Sequence, residues 1–70
     1  MSEIPKAPIA RIMKDSGVER ISEDAKVELA NSLEEIARKI SIKANDAAKL
    51  AKRKTVKAED IKLAVDELNL

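Results

Sequence analysis

Along the middle of the chain, apolar residues recur at helical spacing. Ala25, Leu29, Leu33, Ile36, Ile40, Ala44, Ala47 and Ala51 follow one another at intervals of 4, 4, 3, 4, 4, 3 and 4, which draws one stripe along one continuous helix. No glycine or proline interrupts it. Ser22 stands ahead of the stripe as an N-cap, and Glu23 and Asp24 place negative charge in the first turn, where the helix dipole favours it. From Glu23 to about Lys52 the pattern predicts some 30 residues of helix, roughly 45 Å at 1.5 Å per residue.

A short helix is predicted on either side. Pro8 near the start and Gly17 just past the end bracket the first, whose Ile9, Ile12 and Met13 share a face. The last begins after Lys57, with Glu59 and Asp60 in its first turn and Ile61, Ala64, Val65 and Leu68 as its apolar face. The connections, 17–21 and 53–57, read as extended loops. Each includes β-branched residues in an extended run, Ile21 in one and Thr55-Val56 in the other, suited to pairing as two-residue strands between subunits. The expected fold is all-α, in the order short, long, short, with residues 1–70 as a single domain.

Length makes this pattern a problem for one copy of the chain. A compact domain of 70 residues is only about 30 Å across, shorter than its own central helix. Two short helices cannot cover so long a stripe, and a chain this small has a marginal core. Disulfides and a Cys/His metal site are excluded, because the sequence has no cysteine and no histidine. The remaining remedy is a second copy whose long helix crosses this one, so an intertwined homodimer is expected. Its core falls on Leu29, Leu33, Ile36, Ile40, Ile61 and Val65. A parallel coiled coil would need a heptad sustained through the short flanking helices.

Charge adds a direction. The net charge is +1, yet residues 36–57 carry eight Lys and Arg against Asp46 alone, leaving a balance of −6 for the rest. Such a block fits either a polyanion surface or a solvated lysine-rich helix face. The stretch RKTVKAEDI, residues 53–61, places three cations in five residues and turns acidic at Glu59 and Asp60. Phe, Tyr and Trp are absent, which excludes the base-stacking modes of single-strand and sheet-type RNA readers. The opening MSEIPKAP lacks an apolar leader, and no segment approaches the roughly 20 apolar residues of a membrane span. We read the chain as soluble and cytoplasmic, with no membrane partner.

Three stretches in order, IPKAPIARIMKDSG, ERISEDA and RKTVKAEDIKLAV, resemble the archaeal histones of the tail-less type, and the similarity runs from Ile4 to about Val65. The resemblance implies a histone-fold homodimer that bends and wraps double-stranded DNA without reading base edges, and that is associated with the chromosome in the nucleoid. Cations and helix N-termini aimed at phosphates suffice for such binding. The family's DNA-facing positions fall here on Arg11 and Lys14 of the first helix, Arg20 of the first loop, and Lys54 with Thr55 of the second. Arg53 and Lys57 complete that loop's basic set. The resemblance also implies that Arg53 pairs with Asp60 as a salt bridge clamping the loop.

One departure bears on assembly. Members that stack dimers use a leucine and a histidine that meet the acid near the start of the third helix, and those positions here are Ala47, Leu50 and Asp60. Only the acid is kept, Leu63 lies nearby on the third helix, and Lys52 replaces a small residue before the second loop. The expectation is a stable dimer with weakened dimer–dimer contact at Ala47, Leu50, Asp60 and Leu63. Other histones are conceivable heterodimer or stacking partners. The competing reading is a histone-fold module that pairs with another chain and binds little DNA itself. Catalysis is not expected: no S-x-x-K spacing occurs, Glu34-Glu35 is an adjacent exposed pair, and neither cofactor nor small-molecule substrate is implied.

Overall fold

The computed structural model describes residues 4–70; Met1 to Glu3, which open the stretch read above as lacking a leader, lie outside the described residues. Three helices and no strand are present among them: α1 (Lys6–Asp15), α2 (Glu23–Leu50) and α3 (Ala58–Glu67). The order short, long, short is the one the apolar spacing predicts. The segments 18–22 and 53–57 form no strand within the chain. No helix is long and apolar enough to cross a membrane among the described residues.

The N-termini follow from local chemistry. Pro5 caps α1 and Pro8 lies in its first turn, two residues further into the helix than a proline at the first position, because any of the first turn's N–H groups lacks a helical partner and proline forfeits nothing there. At α2, the Ala25 N–H donates to Ser22 Oγ at 3.1 Å, and Lys26 reaches back to Glu23 at 2.9 Å. Ser22→Ala leaves that N–H without its acceptor. We expect a loss of about 1 kcal/mol, seen as a melting temperature lower by roughly 4–8 °C. At α3, the Asp60 carboxylate accepts the Lys57 N–H at 2.7 Å. This is only half of a capping box, since a lysine ammonium at the cap position has no acceptor to return the bond.

All three helices end in the same device. The N–H of Val18 donates to Met13 O and that of Gly17 to Lys14 O; Arg53 donates to Ala48 O and Lys52 to Lys49 O; Leu70 donates to Val65 O and Asn69 to Asp66 O. Each pair is a Schellman closure, which needs its pivot in the left-handed region. The pivots are Gly17 at φ +99°, Lys52 at φ +59° and Asn69 at φ +63°. The turn into the left-handed region at Lys52 ends α2 at Leu50, two residues before the expected end.

The chain divides into two compact units, Met1–Glu35 and Ile36–Leu70, with the boundary inside α2. In the first unit the buried apolar residues are Ile9 and Ala30; in the second they are Ala44, Ala48 and Ala64. A methyl group contributes only about 0.8 kcal/mol on burial, so four alanines and one isoleucine make a thin core. The larger side chains stop short. Leu29, Leu33, Ile36, Ile40 and Val65 are half-buried, Ile61 is 38% exposed, and Ile42, off the predicted stripe, is 65% exposed.

Candidate nucleic-acid interface

Segment 53–61 is organised around one ion pair. Arg53 Nη1 donates to Asp60 Oδ2 at 2.9 Å and Nη2 to Oδ1 at 3.0 Å, a two-pronged contact that matches the planar fork to the carboxylate. The same Nη1 donates to the Thr55 carbonyl at 2.9 Å, and Glu59 stands 3.8 Å from Nη2. Asp60 is nearly buried, at 4% exposure. The Arg53 guanidinium first, and the Lys57 N–H second, hold its carboxyl down to about 2, below the usual carboxylate range. Helix polarity favours the arrangement, a cation past the end of α2 and an anion in the first turn of α3.

The clamp divides the loop's charges. Arg53 is committed to Asp60 and to the Thr55 carbonyl, while Lys54, Thr55 and Lys57 stand exposed. Thr55 is fixed through its backbone, so its side chain is presented from an ordered loop. In the other unit Arg11, Lys14 and Arg20 are exposed, and Lys14 Nζ donates to the Glu19 carbonyl at 3.3 Å, which ties the end of α1 to the loop carrying Arg20.

A second feature of the 36–70 unit is a groove of about 390 Å³ that includes Ala47, Leu50, Ala51 and Leu63, with Lys43, Asp46 and Glu67 supplying its charge. Lys43 and Glu67 pair across 3.4 Å. Leu50 is 87% exposed and Leu63 48% exposed. The structure thus brings together three of the four residues expected at a dimer–dimer contact and leaves out Asp60, whose oxygens serve Arg53 and Lys57. Sequence reasoning also missed the Lys43–Glu67 pair. Its partners are 24 residues apart, and no local spacing reports such a contact.

Comparison with known proteins decides the family. Residues 2–65 match the model of the family described as histone-like transcription factor (CBF/NF-Y) and archaeal histone. The chain belongs to this histone family. Over 65 residues it is 54% identical to one of the subunits of archaeal histone HAN1 from Thermococcus zilligii and, equally, to probable archaeal histone 3 of Methanocaldococcus jannaschii; each match covers 93% of this chain and 97% of the relative. The DNA-binding protein HmvA of Methanocaldococcus jannaschii is 45% identical over 64 residues, 91% of this chain and 67% of that one.

Membership in the histone family makes the chain a DNA-binding chromatin protein and not an enzyme. The three helices are those of the histone fold, and the fold asks nothing of the groups a catalyst would need. Within the 36–70 unit, one charge pair orders the loop that follows α2 and leaves Lys54 and Lys57 exposed.

Proposed function

We propose that the protein acts as a homodimer that binds, bends and wraps double-stranded DNA without sequence specificity, and so compacts the chromosome within the cytoplasmic nucleoid. The observation that carries this reading is the division of charge in residues 53–60. Arg53 spends its charge on Asp60, and Lys54, Thr55 and Lys57 are held outward on the ordered loop. Arg11, Lys14 and Arg20 supply the corresponding cations of the other unit. Exposed cations without aromatic partners suit phosphate contact and indirect reading of a deformable duplex, not base stacking. Support for the dimer comes from the thin core: Leu29, Leu33, Ile36, Ile40, Ile61 and Val65 keep exposed area that a second copy would cover. Binding to a random-sequence duplex, with affinity falling as salt rises, tests the DNA reading.

Dimer–dimer stacking is weakened in this proposal. At Ala47 the side chain is a single methyl, Leu50 offers no imidazole, and Asp60 is enclosed by its own chain. The groove therefore lacks both the large apolar contact and the hydrogen bond that the stacking pattern requires. Crosslinking on duplexes of increasing length should give dimers with little growth beyond them, while Ala47→Leu combined with Leu50→His should produce a ladder that lengthens with the DNA. A regular ladder from the unaltered protein would remove this part of the proposal.

A second reading has one observation in its favour. A relative 54% identical to this chain is named as one of a protein's subunits, which fits a chain that pairs with a different histone. Sedimentation of the purified protein alone separates the two readings: a folded dimer supports the first, and an unfolded or helix-poor monomer supports the second.

A further inference from the structure

We infer that Lys52 is a phosphate contact of the DNA-binding surface, an extension of the second-loop set that rests on the DNA-binding reading above. The argument starts from three helix ends built alike. Each closes with the same pair of backbone hydrogen bonds around a residue of positive φ. Gly17 adopts that conformation without a Cβ to clash, and asparagine, at position 69, is the side chain most often found there after glycine. Lysine has neither property. Its Cβ crowds the following carbonyl, and its long stem has no short polar group with which to bond the local backbone.

Nothing among the described residues compensates. Lys52 is exposed, and no hydrogen bond or ion pair joins its ammonium to another described residue. The helix dipole at the end of α2 does not account for it either, because Lys49 in the last turn and Arg53 just beyond already place cations there. A further cation between Lys49 and Lys54 adds like-charge repulsion, and only Arg53 among its neighbours is neutralised within the chain, by Asp60. A disfavoured backbone state and an uncompensated charge at the same residue point to an anion outside the molecule. The residue directly precedes the loop that presents Lys54, Thr55 and Lys57, so the anion is the phosphate backbone that those residues face.

The same charge has one other use, holding a neighbouring copy away from the end of α2, and the experiment distinguishes the two. Lys52→Asn keeps a residue suited to positive φ and deletes the charge; Lys52→Arg keeps the charge. Both are titrated as full-length protein with a random-sequence duplex over a range of salt, with melting temperature and helix content as folding controls and crosslinking as a count of copies. Lys52→Asn should melt higher than the unaltered protein, bind all duplexes more weakly, and lower the log–log salt slope by about 1 for each protomer in contact; Lys52→Arg should keep the slope. An unchanged slope for Lys52→Asn overturns the inference, and an unchanged slope with a longer crosslinked ladder assigns the lysine to repulsion between copies. Salt-independent binding by the unaltered protein overturns the DNA reading itself, an outcome separate from either.

Discussion

Arg20→Ala combined with Lys54→Ala should lower affinity for a random-sequence duplex by on the order of 1,000-fold at 0.1 M salt, and flatten the salt dependence. Each neutralised phosphate contributes a log–log slope of about −0.9. If both residues contact phosphate in each half of a dimer, four contacts vanish and the slope falls in magnitude by about 3.6. Both side chains are exposed and neither makes an ion pair with the described residues, so the variant should keep its melting temperature within a few degrees. Lys62→Ala is the control. It removes a cation from an exposed position on α3 outside the proposed surface, so it changes net charge without deleting a predicted contact. Equal effects per charge from Lys62→Ala and from the double variant would mean that net charge, not the two loops, governs binding. Unchanged affinity and slope in the double variant would remove Arg20 and Lys54 from the interface altogether.

The parts of the fold that were readable in the sequence are those set by local rules. Ser22 followed by Glu23 and Asp24 announces a helix start because the hydroxyl, the carboxylates and the dipole all act within one turn. The stripe from Ala25 onward announces α2 because burial on one side imposes a period, whatever the partner turns out to be. Gly17 marks the end of α1 for the same local reason. Where the signal is weaker, the boundary slips. Pro8 is compatible with any position of a first turn, so it could not fix the start of α1 at Lys6. Lys52 gives no warning of a left-handed pivot, since the stripe continues through Ala51 and lysine has no preference for that conformation.

The candidate site divides along the same line. Arg53 and Asp60 carry opposite charge at a helix end and the next helix start, a clue present in the sequence. The Thr55 carbonyl and the Lys57 N–H, which complete the clamp, are backbone groups and leave no mark in residue identity. The exposure of Ile42 and the Lys43–Glu67 pair depend on which helix faces are covered, and that is settled by packing over the whole unit. Asp60 shows the limit most directly. Its identity and place suggested the pair with Arg53, but not that its carboxylate would be nearly buried and held by the Lys57 N–H as well.

The second large effect follows from that enclosure. Asp60→Asn should lower the melting temperature at pH 7 by roughly 10 °C, as expected when a nearly buried carboxylate that joins a guanidinium to a helix cap is replaced in a domain this small. The pH dependence has a definite sign. Folding holds the carboxyl of Asp60 down to about 2, below its ordinary value of 3.8, so the folded chain takes up the proton less readily than the unfolded one. The stability this provides is present in full above about pH 5 and is lost as the pH falls through 3.8 toward 2. The gap in melting temperature between the two proteins should therefore be constant from neutrality to about pH 5 and close below pH 4. A gap that persists unchanged at pH 2 would show that the carboxylate's charge is not what the asparagine lacks. DNA binding supplies the link to function. Asp60→Asn raises the net charge by one per chain, which by electrostatics alone strengthens binding to a polyanion. If the clamp's task is to present Lys54, Thr55 and Lys57 from a fixed loop, duplex affinity should fall despite the added positive charge. A rise in affinity would mean that the loop needs charge and not order.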